Sequence, residues 1–253
     1  MGTCPTADGA FVRLANVSVG ATPVDFCFTA NGMTFGPMMK CAAPTSMLAY
    51  PKVSKQIAIP AGTYDVTAVT GGMDCSTTAL GGVGKVNVAA GKTVTVSSTP
   101  SGVTALPDVK AMAGSGEIYF RFIHGVKGVG ALDVGLADKL GAGASISLTV
   151  LGAVPPGGAS TAMATPDGLL MIDTGYLRVT KSFYLGPTVV AAAPTAAMHM
   201  KDGVLTPTIN LAAESAEKSF TAFGIGDATA MTGAAIVCED AVADGDFTKC
   251  IAP

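Results

Sequence analysis

Charge is what this sequence lacks most. Charged residues make up 13% of 253 positions, against roughly 25% in an average soluble protein. Hydrophobic types reach 49%, so Thr, Ser, Ala and Gly must supply much of the surface. The net charge of -3 is small and the 15 Lys and Arg are scattered, which leaves no basic stripe for nucleic acid or an anionic membrane. Long apolar runs are missing too. The longest, ISLTVLGAV from Ile146 and VVAAAPTAAM from Val189, fall well short of the roughly 20 residues that a transmembrane helix needs. Pro194 also interrupts the second. The opening MGTC carries no apolar signal core, but a Met-Gly start is also what replaces a natural leader. The expectation is an exported chain whose signal peptide has been removed.

Reactive groups are equally sparse. Two histidines, His124 and His199, leave few places for an imidazole mechanism. The nearest approach to a Gly-x-Ser-x-Gly elbow is AGSGE around Ser115, with the wrong spacing for a nucleophile. His124 occupies the place of Asn16 in an earlier strand and reads as a strand-end side chain satisfied by backbone. Asp25 and Asp133 read as surface or salt-bridged strand residues rather than a catalytic pair, which would need a cleft. Their expected partners are Arg13 and Arg121, since both pairs keep the same separation (25 − 13 = 12; 133 − 121 = 12). No catalytic residue and no cofactor is assigned.

Cysteine is present in an even number, six, with no CxxC spacing to suggest zinc or thioredoxin-like chemistry. Disulfides, and with them an oxidising compartment, fit better. Cys238 and Cys250 bracket a short Gly- and Asp-containing loop and are expected to pair. Cys4, Cys27, Cys41 and Cys75 allow three pairings, of which Cys27 with Cys75 and Cys4 with Cys41 is preferred. A different soft-donor reading attaches to MHMKDG. Met198, His199 and Met200 are a set suited to Cu(I), and Met33, Met38 and Met39 add thioethers. Successive strand residues point to opposite faces, however, which turns His199 away from its neighbours, and methionine is ordinary core filler. The acidic string ADGDF near Asp244 lacks the ligand spacing of a calcium loop.

A repeat gives the organisation. YPKVSK from Tyr50 matches YLRVTK from Tyr176 (176 − 50 = 126), and Lys92 and Thr95 fall over Lys218 and Thr221 at the same displacement (218 − 92 = 126). Upstream, Arg13 and Asp25 fall over Arg121 and Asp133 at a displacement of 121 − 13 = 108. The difference, 126 − 108 = 18, implies an insertion in the second copy. Each copy alternates apolar and polar residues with a period of two, as in PVDFCF and ALDVGL. KQIAIPAGTYDVTAVT reads as strand, turn and strand, and GKVNVAAGKTVTVSS as two short strands around AAGK. The expected fold is all-β: two tandem immunoglobulin-like antiparallel β-sandwich domains. They are placed at residues 9–105 and 116–237, with a linker at 106–115, an inserted loop at about 137–175 and a disulfide-closed tail at 238–253.

The strings VRLANVSVGATPVDFCF, YPKVSKQIAIPAGTYDVTAV, DCSTTALGGV and KSFTAFGIGDATAMTGAAIVCEDA together resemble a bacterial secreted family, the domain of unknown function numbered 4397. The likeness covers roughly residues 9 to 105 and 116 to 240. Where many members carry Pro-Asp-Ala-Pro, this chain has VGATP in one copy and KGVGA in the other. The resemblance implies tandem immunoglobulin-like β domains in an exported or cell-surface protein, and it carries over no catalytic residue. The functional expectation is a binding, adhesion or structural module without catalysis, whose partner is a cell-surface protein or polysaccharide. The alternatives are a self-assembling extracellular subunit, an exported copper-binding protein, and a polysaccharide or ester hydrolase working through the inserted loop.

Overall fold

The structure, a computed structural model, describes residues 2–6, 9–42, 45–108, 114–137, 146–159, 177–180, 188–192, 204–209, 218–230, 232–240 and 250–251. They fall into two compact units, one ending at Asp108 and the other lying beyond it. Both are built from β-strands.

The first unit runs β1 (Gly9–Asn16), β2 (Val24–Ala30), β3 (Met33–Phe35), a one-turn helix α1 (Met38–Ala42), β4 (Lys52–Pro60), β5 (Gly62–Thr70), β6 (Gly84–Val88), β7 (Thr93–Thr99) and β8 (Gly102–Pro107). Two four-stranded sheets result, ordered β4-β1-β7-β8 and β3-β2-β5-β6. Every neighbouring pair is antiparallel except β1 and β7. Alternation sends Val12 and Leu14 of β1, Phe26 and Phe28 of β2, Val66 and Ala68 of β5 and Val94 and Val96 of β7 into one buried cluster. Edge-on contacts of Phe28 and Phe35 with the Tyr64 ring, centroids 5.8 and 6.1 Å apart, close one end of it.

Turn chemistry sets the connections. Asn31 and Gly32 both take positive φ, 50° and 78°, the conformation a two-residue hairpin between β2 and β3 requires. At Pro60-Ala61-Gly62 the chain leaves one sheet for the other, and the Tyr64 hydroxyl donates to the Pro60 carbonyl at 2.6 Å across that corner. On β4 a bulge opposite Leu14 is filled by a side chain: the Leu14 N–H donates to Ser54 Oγ at 2.9 Å.

The second unit repeats the plan. Its strands are β9 (Glu117–His124), β10 (Leu132–Ala137), β11 (Ile146–Val154), β12 (Leu177–Thr180), β13 (Thr188–Ala192), β14 (Val204–Ile209), β15 (Ser219–Ile225), β16 (Ala234–Glu239) and β17 (Cys250–Ile251). The sheet orders, β12-β9-β15-β16-β17 and β11-β10-β13-β14, map strand for strand onto those of the first unit, with β17 added at one edge. The parallel pair recurs as β9 with β15, and Arg121 lies opposite Thr221 as Arg13 lies opposite Thr95.

Three sequence expectations are modified. Residues 106 and 107, read as linker, belong to β8. Within the span read as an inserted loop, 146–154 forms β11, the long counterpart of three-residue β3; a short run rich in apolar and β-branched residues suits a strand better than a loop. The doubled phrase does not occupy equivalent heights. Lys52 lies opposite Asn16 at one end of β1, whereas Arg178 lies opposite Tyr119 near the other end of β9. A five-residue likeness is too short to hold an edge strand in register against the sheet it joins.

Candidate functional site

Polar side chains on the strands are the natural candidates, and three groups stand out. The first surrounds Asp25. Val24, Phe26 and Phe28 face the core, so Asp25 and Cys27 lie on the other face of their sheet, where solvent would be expected; both are nevertheless buried. Asp25 Oδ1 accepts from the N–H groups of Phe26 at 2.7 Å and Met39 at 2.8 Å, and Oδ2 accepts from the Lys40 N–H at 3.2 Å. It ties β2 to the first turn of α1, whose N–H groups have no partner within so short a helix. Burial raises its pKa, opposed by those three N–H groups and by the Lys40 charge.

Disulfides fasten the same face. Cys27 is joined to Cys75 in the loop after β5, and Cys41 of α1 to Cys4. Lys40 reaches Asp74 at 3.5 Å. Thr3 pairs with the β3 edge through Thr3 N–H to Thr34 O and Gly36 N–H to Thr3 O, 2.9 and 3.0 Å. Above these cross-links Met47 and Met73 remain about half exposed. The third disulfide, Cys238 to Cys250, holds β17 against β16. The second unit has Gly135 where the first has Cys27, so the Cys27–Cys75 cross-link has no counterpart there.

The second group is a buried triad that occurs twice. Arg13, 1% exposed, donates from Nε and Nη2 to Thr95 Oγ1 at 3.0 and 2.8 Å, and Thr95 Oγ1 donates to Asp108 Oδ1 at 2.6 Å. Asp108 Oδ2 lies 3.7 Å from Arg13 Nε. In the second unit Arg121 Nε donates to Thr221 at 2.8 Å and Thr221 donates to Asp240 at 2.6 Å. The expected Arg13–Asp25 and Arg121–Asp133 pairs are thus replaced. Each Arg stands in the sheet of β1 or β9, and each of those Asp residues in the sheet of β2 or β10. Their constant separation reflects the repeat rather than contact. Thr95 and Thr221 were aligned in the sequence, but nothing marked them as partners of residues three places beyond the assigned domain ends.

His124 forms the third group. Buried at the end of β9, it accepts the Val126 N–H at Nδ1, 3.2 Å, and its Nε2 donates to the Gly130 carbonyl at 2.8 Å. Asn16 does the same work in the first unit. Its Oδ1 accepts from the Ser18 N–H at 3.4 Å and its Nδ2 donates to the Leu48 carbonyl at 3.0 Å. The backbone-satisfied reading of His124 therefore holds, and burial lowers its pKa.

Met198, His199 and Met200 lie outside the described residues. Of the thioethers grouped with them, Met38 and Met39 are buried residues of α1, while Met33 on β3 is 59% exposed. Among the described residues no three His, Cys, Asp or Glu side chains are grouped to hold a metal. No helix among them is long and apolar enough to cross a membrane.

Residues 10–135 match a family model described as a domain of unknown function, DUF4397. Across these residues the chain is similar to the DUF4397 family. The match takes in the first unit from Ala10 onward and continues through β9 into β10, so Asp25, Arg13–Thr95–Asp108 and His124 all fall within the DUF4397 segment, while Thr3 and Cys4 precede it. No curated protein matches the chain.

Proposed function

We propose that this protein is an exported tandem module of immunoglobulin-like sandwiches that binds, adheres or builds at the cell surface and carries out no reaction. One observation supports this most: all six cysteines are joined, and two of the three disulfides fasten loops onto a sheet face that a hydrophobic core alone would not hold. Cross-links of this kind persist in oxidising compartments. The polar groups with chemical potential, Asp25, His124 and the two Arg–Thr–Asp triads, are engaged in structural bonds. The corner tyrosine, Tyr64, supports the immunoglobulin-like reading, because such a hydroxyl-to-backbone bond at a sheet crossing is a hallmark of those domains.

The sheet edges favour a module that meets a partner over a subunit of a self-built filament. Thr3 covers β3, β17 covers β16, and Lys85 stands on β6. Covered and charged edges resist strand-to-strand addition. The test is fractionation of producing cells followed by thiol alkylation without reductant, and sedimentation of the purified chain with isolated envelopes and cell-wall polysaccharide. Extracytoplasmic, unlabelled protein that sediments with one of these supports the reading. Cytosolic protein with six reactive thiols overturns the export, and a concentration-dependent polymer in light scattering overturns the preference over assembly.

A further inference from the structure

We infer that His124 is an acid-sensitive latch on the turn 125–130, a device the first unit lacks because Asn16 stands in the equivalent place. The geometry fixes the protonation state. Nδ1 accepts the Val126 N–H, so it carries no hydrogen, and Nε2 holds the proton it donates to the Gly130 carbonyl. One neutral ring therefore grips the turn near its start and at its end. A second proton can enter only at Nδ1, where it would confront the Val126 N–H, donor against donor. Protonation and the closed turn exclude each other. An amide side chain has the same acceptor and donor but does not titrate in this range, so Asn16 holds Ser18 and Leu48 at any moderate pH.

Among the described residues packed around His124, none brings a charge onto the ring to stabilise an imidazolium. Opposite His124 on β15 stands Gly224. The segment beyond β11 meets the His124 backbone through Gly157 and Gly158, and Phe122 lies with its ring centroid 6.5 Å away. The charged groups on the adjoining turns are Lys127 and Asp227, paired with each other at 3.6 Å. Desolvation accordingly lowers the pKa below 6.5, with the Gly130 carbonyl pulling weakly the other way.

The linkage follows. The open turn exposes an imidazole that titrates near 6.5, while the closed turn binds its proton only at lower pH. Between those values each unit fall in pH favours opening by up to about tenfold.

Amide hydrogen exchange on the full chain, corrected for the intrinsic rate, tests this between pH 7.5 and 5. Protection at Val126 is expected to fall by up to about tenfold per unit below about 6.5, with Ser18 as the internal control remaining flat. His124→Asn, which copies the first unit, should abolish the dependence. Should that variant fail to fold, the C–H resonances of His124 in the unsubstituted protein, assigned with His199→Asn, serve instead. A midpoint below 6.5 that coincides with the loss of Val126 protection supports the latch. Val126 protection that is flat with pH, that persists in changing in His124→Asn, or that is unlinked to the His124 resonance overturns it.

Discussion

Asp25 shows how one side chain can be misjudged from its neighbours. Alternation with Val24 and Phe26 places it on the non-core face, and the ordinary inference is solvent. What the strand pattern does not contain is α1, which brings the Met39 and Lys40 N–H groups over it. Asp25→Ala should leave buried N–H groups unsatisfied and cost about 3 kcal/mol in a denaturant titration, whereas Asp25→Asn keeps one acceptor and should cost less. The pH trend has a definite sign. With the folded pKa raised above 3.8 by burial, the folded state binds the proton more tightly. The contribution is therefore present at low pH and is lost as pH rises through the folded value. Subtracting the pH profile of Asp25→Asn from that of the unsubstituted protein reads it directly.

At the scale of elements, the alternating strands and the strand–turn–strand at Pro60 were legible because period and turn residues are local properties. The fastened layer was less so. An even cysteine count without CxxC spacing pointed to disulfides, but not to what they hold down. Cys27–Cys75 closes a loop with a sequence separation of 48, for which the chain-entropy relation gives about 4 kcal/mol. Replacing both cysteines by alanine should lower stability by up to that amount, measured as a shift in denaturation midpoint with unchanged slope. The corner bond is a smaller quantity. Tyr64→Phe removes the donor to the Pro60 carbonyl while keeping the ring contacts, and a loss of about 1 kcal/mol is expected in the same titration.

At the scale of the whole molecule, duplication explains why two sheet orders and two triads recur. Each triad joins the first strand of a unit to the residue just after β8 or β16, so β1 is tied to the end of β8 through Thr95 and β9 to the end of β16 through Thr221. Removing one partner of a buried ion pair strands the other, at about 3–5 kcal/mol. Asp108→Ala should destabilise by that order, and Asp240→Ala should destabilise by at least the loss of the hydrogen bond from Thr221. Thr95→Val, which removes only the bridging hydroxyl, should cost less; equal losses in equilibrium unfolding would mean that the carboxylate does not pair with Arg13.

Sequence alone determined the all-β class, the duplication, the oxidised cysteines and the backbone-bound state of His124, because each follows from periodicity, count or position along a single strand. The tertiary structure decided the partners of Arg13 and Arg121, the burial of Asp25 and the register of β12. Those depend on which sheet a strand joins and on what packs across it, and such contacts between residues up to 100 positions apart leave no local mark in the chain.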